Sequence, residues 1–240
     1  MDRYTLTARV APAAMAAAPV LTLGLVMLPG LPGLSKLWSI LSLGVTTYAA
    51  MAARRAGNRV QPRLRAKWGG MPTTVRLRYR GGTPEQEVTR RHREVERVIG
   101  ARLTLPTLPE EVADPAAADA MYEAAMKRVL PKFRGSAGNR LLNAENRNYG
   151  FARNLLGLKP IGYLCSALAA LVSAVIGAIV WTEDGRADAL LWTPPIIVAV
   201  VAAVLWTQVD DDFVRPSADA YADRVLDAIA ALPDPSAPNS

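Results

Sequence analysis

The sequence of 240 residues contains one cysteine, Cys165, and one histidine, His92. A single cysteine excludes an internal disulfide framework, and so few cysteines and histidines exclude a zinc cluster or a catalytic centre built on several histidines. The long segment between the apolar runs also lacks a nucleophile elbow, a phosphate-binding glycine loop and a nucleotidyl-transfer carboxylate pattern. We therefore expect no enzymatic activity, no metal and no cofactor.

Charged residues are scarce as well. They make up 20% of the chain, whereas hydrophobic residues make up 51%, and this balance is too apolar for an ordinary soluble domain of this size. The few charges are mainly basic, with a net charge of +7 and an isoelectric point near 9.8. The composition therefore indicates a membrane protein with anionic partners, such as phospholipid, nucleic acid or nucleotide.

Four apolar runs are long enough to cross a bilayer, which requires about 20 mostly apolar residues. A PGLPGLS turn joins the first two runs and a TEDGRAD turn joins the last two, so each pair is typical of a helical hairpin. For residues 1–33 a cleaved signal peptide is the alternative, although no A-x-A cleavage pattern follows. The predicted fold is an all-α integral membrane protein with a mainly helical insert between two hairpins. The predicted spans are residues 11–29, 36–53, 162–181 and 189–208.

The distribution of Lys and Arg predicts the orientation. Residues 54–159 contain 22 of the 28, each terminal segment contains two, and the two short turns contain only Lys36 and Arg186. Both termini and the insert should therefore lie on the cytoplasmic side of a bacterial inner membrane. The predicted domains are an N-terminal hairpin (1–53), a basic cytoplasmic sensor domain (54–160), a C-terminal hairpin (161–208) and a C-terminal helix with a disordered tail (209–240).

The early part of the insert is the most basic, with no acidic residue between positions 54 and 80. Arg76, Arg78 and Arg80 alternate with apolar residues, which in a β-strand would place three guanidinium groups on one face and form a phosphate site. For residues 54–67 the alternative is a juxtamembrane belt on anionic phospholipid headgroups. The candidate phosphate or oligonucleotide ligands in this part are Arg63, Arg65, Lys67, Arg76, Arg78 and Arg80.

Sequence signals predict three helices in the rest of the insert. Thr83 and Pro84 resemble a capping box with proline at the first helical position, opening a helix to about residue 99. Asp114 and Pro115 open a second helix to about residue 130, and a third helix is expected from residue 140 to 156. His92 lies on the charged helix and is expected to be solvated.

The string ENRNYGFARNLLGLKP stands directly before the third apolar run. Asparagine is a weak helix former, so several in three turns suggest specific hydrogen-bond partners. Two interpretations stay open: a ligand face, or a buried network that joins the insert to the membrane hairpin. The candidate ligand residues here are Asn146, Arg147, Tyr149 and Arg153.

Small residues recur along the third run at four-residue spacing, which favours close helix packing within one chain or around an oligomer axis. The candidate pore residues are Ser166, Ala170, Ser173 and Gly177. Asp210, Asp211 and Asp212 follow the fourth run and would form an acidic ring at the mouth of an oligomeric pore. The alternative for these three is a solvated or ion-paired turn, followed by a helix from about residue 218 that Ser217 would cap.

The strings KWGGMPTT, RYRGG, DPAAADAMYE and NRNYGFARNLLGLKPIG, flanked by two hairpins, resemble the membrane effectors of Hailong-type antiphage defence. The resemblance covers mainly residues 67–161. It implies a homo-oligomeric channel that a DNA oligomer controls and whose opening depolarises the infected cell. It also implies a partner nucleotidyltransferase encoded nearby, which makes the oligomer. No ligand residue is carried over from the family.

Two functions are therefore expected in order of preference. The first is an oligomeric ion channel, with four subunits the expected number, gated by an anionic nucleotide or single-stranded DNA oligomer on its cytoplasmic domain. The second is a non-conducting inner-membrane scaffold that recruits a cytoplasmic partner. Because no charged residue lies within an apolar run, the sequence disfavours an ion-coupled transporter or a proton relay.

Overall fold

The computed structural model of the chain describes residues 3–27, 35–100, 103–133, 139–183 and 186–232. All regular secondary structure within these ranges is helical, which confirms the all-α prediction. A π-helical turn, Leu6–Val10, joins the first two helices, and short 3-10 turns occur at Tyr79–Gly81, Leu130–Phe133 and Leu190–Trp192. The α-helices are α1 (Arg3–Thr5), α2 (Ala11–Met27), α3 (Ser35–Lys67), α4 (Pro72–Val75), α5 (Glu85–Ile99), α6 (Leu108–Ala113), α7 (Pro115–Val129), α8 (Arg140–Glu183), α9 (Arg186–Ala189), α10 (Thr193–Thr207) and α11 (Asp211–Ala230).

Contacts divide the chain into two compact units. The first unit contains residues Met1–Pro62 and Arg147–Val214, and the second contains Arg63–Asn146 and Arg215–Ser240. Three helices, α3, α8 and α11, contribute residues to both units. The chain therefore passes from one unit to the other inside regular helices.

Three helices of the described residues are long and apolar enough to cross a membrane. They are Arg3–Met27, Arg140–Glu183 and Leu190–Thr207, with mean hydropathies of 1.9, 2.3 and 2.0 in their most apolar windows. They correspond to the first, third and fourth apolar runs; the last two residues of the first run, 28 and 29, lie outside the described residues. The second run, residues 36–53, is helical as part of α3 but is not among the three, because Lys36 and several serines and threonines lower its mean hydropathy.

Small side chains hold the apolar helices of the first unit together. Leu23 of α2, Ala169 of α8 and Ala199 of α10 are buried against one another. Farther along α8, Gly162 lies against the ring of Trp206, where an added Cβ would come within 2.1 Å of the indole. In lipid, helices gain little from the hydrophobic effect, so close packing of this kind provides much of their attraction.

A close helix crossing in the first unit joins α3 to α8. A Cβ on Gly157 would lie 2.3 Å from the carbonyl carbon of Ala56 and 2.6 Å from the backbone nitrogen of Gly57. On the opposite side of the contact, a Cβ on Gly57 would lie 1.9 Å from Oδ1 of Asn154. Only glycine at both positions allows the two helices to approach this closely.

The second unit has its own hydrophobic core. Buried side chains from α5, α7 and α11, together with Leu77, form one cluster. Asp114 accepts hydrogen bonds from the backbone nitrogens of Ala116 and Ala117, which confirms the predicted start of α7. The fully buried members of the cluster are Leu77, Val95, Tyr122, Ala125, Val129, Val225 and Ile229.

Several local predictions for this unit are wrong. Residues 76–80 do not form a strand: α4 ends at Val75, and a 3-10 turn follows at Tyr79–Gly81. Helix α5 begins at Glu85, after Pro84, without a side-chain cap from Thr83. The capping box is found instead at the start of α6, between Thr107 and Glu110.

Two predicted helix boundaries also differ. The helix expected over residues 140–156 continues without a break through the third apolar run to Glu183, with Pro160 inside it. The final helix begins at Asp211 and not near residue 218, because Oδ1 of Asp210 accepts a hydrogen bond from the backbone nitrogen of Phe213. Ser217 is therefore inside α11 and does not cap it.

The variant Gly157→Ala tests the crossing of α3 and α8. The added methyl group would meet backbone atoms, which move less readily than a side chain, so we expect a loss of stability of roughly 1–3 kcal/mol. The matched control is Gly177→Ala on the same helix, where the added Cβ would only approach Cβ of Trp192 at 3.2 Å. Thermal unfolding of the detergent-solubilised protein provides the comparison, and equal melting temperatures for both variants would contradict the close crossing.

Candidate functional site

The arginines predicted to bind phosphate are held by carboxylates of the second unit. Nη1 of Arg76 donates to Asp219 at 3.0 Å, and Nε and Nη2 donate to the two oxygens of Asp223. Both aspartates belong to α11. Although burial lowers the pKa of Arg76, the hydrogen bonds to Asp223 and Asp219 raise it above its usual value. Arg76 is therefore a bidentate clamp on α11.

Arg78 and Arg80 have acidic partners on two other helices. Nε of Arg78 donates to Asp119 of α7 at 2.7 Å, and its Nη2 donates to the carbonyl oxygen of Gly69. Arg80 pairs with Asp119 at 2.7 Å and with Glu111 of α6 at 2.8 Å. Arg78 and Arg80 thus share Asp119, whereas Arg76 is held by α11, and the three guanidinium groups do not share one open face.

Glu111 organises the turn that carries these arginines. Its side chain is 2% exposed, and its two oxygens accept four hydrogen bonds. Oε2 accepts from the backbone nitrogen of Tyr79 at 3.0 Å and from the hydroxyl of Tyr122 at 2.6 Å. Oε1 accepts from the backbone nitrogen of Arg80 at 3.1 Å and from its Nη1 at 2.8 Å.

Four donors stabilise the ionised form of Glu111. Burial by itself raises the pKa of this carboxyl group, but the hydrogen bonds from Tyr122, Tyr79 and Arg80 lower the pKa below its usual value. Burial and the hydrogen bond to Glu111 raise the pKa of the Tyr122 hydroxyl. The carboxylate is therefore saturated and ionised, which suits a structural anchor and does not suit a group that transfers protons.

His92 is buried, so the prediction that it is solvated is wrong. It is 5% exposed, its Nε2 lies 2.6 Å from the carbonyl oxygen of Leu77, and its ring lies between those of Tyr79 and Tyr122. Burial lowers the pKa of the imidazole, against smaller opposing effects of the Leu77 carbonyl, Glu96 and Glu111. The helical surface of α5 is charged, but position 92 faces the core between Val88 and Val95.

The remaining basic candidates lie at the end of α3. Arg65 is ion-paired with Glu123 of α7. Arg63 and Lys67 are exposed on the same helix, and each has further polar interactions. In the ranges that the structure describes, no group of three His, Cys, Asp or Glu side chains could hold a metal ion.

The asparagine-rich stretch of α8 forms a buried polar layer in the first unit. Asn154 is 1% exposed, and its Nδ2 donates to the carbonyl oxygen of Ala8 at 2.6 Å. Nη1 of Arg153 donates to Oε1 of Gln61 at 2.7 Å, and its guanidinium group lies 5.5 Å from the centre of the Tyr149 ring. Two of the predicted ligand residues, Tyr149 and Arg153, are thus brought together.

The contacts of Asn154 and Arg153 form a buried polar network inside the first unit. Asn154 links α8 to the π-helical turn at Leu6–Val10, and Arg153 links α8 to α3. Asn146 and Arg147, the other two candidates, are half-buried. The contact that sequence reasoning missed is the pairing of Gly57 with Asn154 and Gly157; its only sequence signal is a pair of isolated glycines in otherwise good helices.

The candidate pore residues differ in their surroundings. Oγ of Ser166 donates to the carbonyl oxygen of Gly162 at 2.9 Å, and Ala170 packs against the Leu23 cluster. Ser173 is fully buried, and its hydroxyl has no hydrogen-bond partner among the described residues. Together with Gly177 it lines an open cavity of about 500 Å³ between α8 and the start of α10.

The aspartates after α10 belong to the start of α11. Asp210 is its cap, and Asp211 and Asp212 lie in its first turn, where the positive end of the helix dipole favours acidic side chains. Beside them, Nζ of Lys159 donates to the carbonyl oxygen of Val209 at 2.9 Å and so connects α8 to the end of α10. These contacts make the three aspartates the cap and the first turn of α11.

No protein-family model, curated protein or solved structure matches this chain.

The variant Glu111→Gln tests the anchor in the second unit. The neutral amide offers one acceptor oxygen and places an NH2 group against buried donors, so we expect a loss of roughly 1–3 kcal/mol in the free energy of unfolding. Glu110→Gln is the matched control, because glutamine also serves at the third position of a capping box. Denaturant unfolding followed by circular dichroism should separate the two variants; equal stabilities would show that Glu111 is not an anchor.

The burial of His92 predicts a pH-dependent stability. Because its pKa is lower in the folded protein than in the unfolded chain, the unfolded chain binds the proton first as the pH falls. Stability should be complete above about pH 6.5 and decline below it, toward the lowered pKa of the folded state. The variant His92→Gln, whose amide can still donate to the Leu77 carbonyl, should reduce this slope in melting temperatures measured across the range. An unchanged slope would show that another group titrates.

Proposed function

We propose that this protein is a membrane effector that assembles as a homo-oligomer and forms an ion channel controlled by an anionic nucleotide or DNA oligomer. In this proposal the four apolar runs cross the bacterial inner membrane as two hairpins, with both termini and the second unit in the cytoplasm. Opening depolarises the membrane, as in the antiphage defence that the sequence resembles. A partner nucleotidyltransferase supplies the oligomer.

The observation that carries the proposal is the bidentate clamp of Arg76 on α11. Only residues 208–210 separate α11 from α10, which is one of the three helices apolar enough to span a membrane. A phosphate group offers the same paired oxygens to a guanidinium group as a carboxylate does. An oligonucleotide that takes Arg76 from Asp219 and Asp223 would release α11, and through the chain it would act on α10.

Ligand control requires that the ligand bind the two arrangements with different affinity. Competition for one arginine meets this requirement, because phosphate has access to Arg76 only when the two aspartates have left. The ion pair of Arg76 and Asp223 is accessible to solvent, since the side chain of Arg76 is 21% exposed and that of Asp223 is 56% exposed. Charged competition of this kind weakens with added salt, because a polyanion releases counterions on binding.

Uncovered small residues on α8 support oligomerisation. The row that includes Gly162, Ser166, Ala169 and Ser173 is covered by helices of the same chain. A second row, Ala167, Ala174 and Ala178, is exposed in the apolar part of the helix. Another copy could approach it closely. An oligomer is needed because the few helices of one chain enclose too little space for an ion path.

Ion flux from liposomes that contain the purified full chain tests the proposal. We expect an oligomeric mass in detergent and a flux that changes when short single-stranded DNA is added on the side of the second unit. Vesicles without protein, and DNA added to the opposite side, are the controls. A monomeric mass with no flux under either condition would overturn the channel.

The double variant Asp219→Asn/Asp223→Asn tests the clamp. It removes both charges that hold Arg76. The flux measured without DNA should therefore change by about tenfold, in the direction of the flux measured with DNA, and the response to added DNA should shrink. The matched control is Asp227→Asn on the same helix, whose partner is Arg224 one turn away. If the double variant and the control behave alike, the clamp is not the element that the ligand displaces.

A non-conducting scaffold is the second candidate, and one observation favours it. Val112 on α6 is 72% exposed, and Leu108 one turn earlier is 36% exposed, so the second unit presents apolar side chains to solvent. A cytoplasmic partner protein could pack there. The scaffold predicts no conductance, and it predicts that Val112→Glu abolishes capture of the partner while the protein stays folded.

A further inference from the structure

We define the outer face of α3 as Arg54, Arg55 and Arg59, together with Met51 and Asn58 on the same side of the helix. This face is exposed along more than two turns. The opposite side of the same helix is buried. There, Ala53, Ala56 and Gly57 face the first unit, and Ala56 and Gly57 contact Gly157 of α8. Packing against α8 therefore fixes which side of α3 is turned outward.

The three arginines of the outer face are uncompensated. Within the residues that the structure describes, none of the three is paired with a carboxylate, whereas Arg65 on the last turn of the helix is paired with Glu123. Seven further arginines of the second unit are also paired with acidic side chains. The partnered arginines are Arg76, Arg78, Arg80, Arg90, Arg91, Arg215 and Arg224.

The position of the outer face along the helix defines its depth. It directly follows the apolar run 36–53, and the exposed side chains change over about one turn from Tyr48 and Met51 to the first two arginines. A tyrosine followed by arginines is the order found where a helix leaves the hydrocarbon and enters the headgroup layer. Arginine side chains at this depth keep the aliphatic stem in the apolar layer and extend the guanidinium group toward phosphate.

The three arginines are far enough apart to bind the phosphates of more than one lipid at the same time. Arg55 and Arg59 lie one helical turn apart, about 6 Å along the axis, and Arg54 lies beside Arg55 around the helix. A phosphodiester accepts two parallel hydrogen bonds from one guanidinium group. The outer face therefore offers a fixed set of phosphate donors at a fixed depth.

We propose that the outer face of α3 is a binding site for the phosphate groups of anionic phospholipids. The inference rests on the proposed function in one respect: residues 36–53 must span the membrane. It does not depend on ion conduction. Charge complementarity supplies the specificity: the face is positive and contains no acidic side chain. Single-stranded nucleic acid fits it less well, because no aromatic ring for base stacking lies among the three arginines.

The test uses the full chain in a neutral detergent, titrated with phosphatidylglycerol or phosphatidylcholine, with bound lipid counted by native mass spectrometry. The wild type should retain phosphatidylglycerol in preference to phosphatidylcholine. Arg54→Gln/Arg55→Gln/Arg59→Gln should weaken this preference by about tenfold or more, since each basic side chain near a headgroup layer contributes to binding. Added salt should weaken the wild-type preference as well.

The matched control is Arg93→Gln/Lys127→Gln/Arg128→Gln, which removes the same charge from exposed positions of α5 and α7. It should keep the wild-type preference. An equal loss in both triple variants would mean that net charge alone attracts the lipid, which would overturn a site on α3.

Two competitors distinguish the source of the phosphate. Inorganic phosphate and short single-stranded DNA should displace bound phosphatidylglycerol poorly, because neither partitions to the depth of the outer face. Displacement by either one at comparable concentration would identify a soluble-anion site and overturn the lipid assignment.

Ion flux measured on the same protein preparations after reconstitution into liposomes separates this inference from the channel. A wild type that prefers phosphatidylglycerol but conducts no ions would remove the channel and keep the lipid site. A wild type that shows no lipid preference would remove the lipid site, whether or not it conducts.

Discussion

The close approach of α3 to α8 at Gly57 and Gly157 is the constraint on which the first unit depends. With backbone facing backbone, Asn154 can reach across to the carbonyl oxygen of Ala8, and Arg153 can reach Gln61. This layer has two sides of different character. On one side, small and aliphatic side chains of the apolar runs pack against one another. On the other side, Arg54, Arg55 and Arg59 form the exposed surface of α3. In the proposed topology, this buried polar layer lies at the boundary between membrane and water.

Electrostatics have a different role in the second unit. The arginines around α4 meet carboxylates: Glu111 pairs with Arg80, and Asp219 and Asp223 hold Arg76. A positive sequence charge therefore does not translate into an open anion site there. A ligand must instead compete for arginines that are already engaged, and competition can couple binding to the position of a helix. The arginines on the outer face of α3 have no carboxylate partner among the described residues.

The sequence predicts features that depend on neighbours along the chain. Three of the four apolar runs, the all-helical class and the cap at Asp114 are confirmed, because periodicity, length and local hydrogen bonds determine them. Prediction from the sequence fails where residues far apart in the chain determine the local structure. Residues 76–80 alternate like a strand, but carboxylates from positions 111, 119, 219 and 223 fix them in a turn. His92 lies in a charged helix and is buried because Tyr79 and Tyr122 fold over it.

The side of the membrane on which each segment lies tests the account most directly. In a Cys165→Ser background, single cysteines replace Arg3, Asn58, Asn148 or Glu183, and intact spheroplasts are treated with a membrane-impermeant maleimide. The account predicts labelling at position 183 in intact spheroplasts, and at positions 3, 58 and 148 only after permeabilisation. Positions 3 and 58 on opposite sides would contradict a span at residues 36–53, and labelling of position 148 from outside would contradict a cytoplasmic location for the segment before the third apolar run.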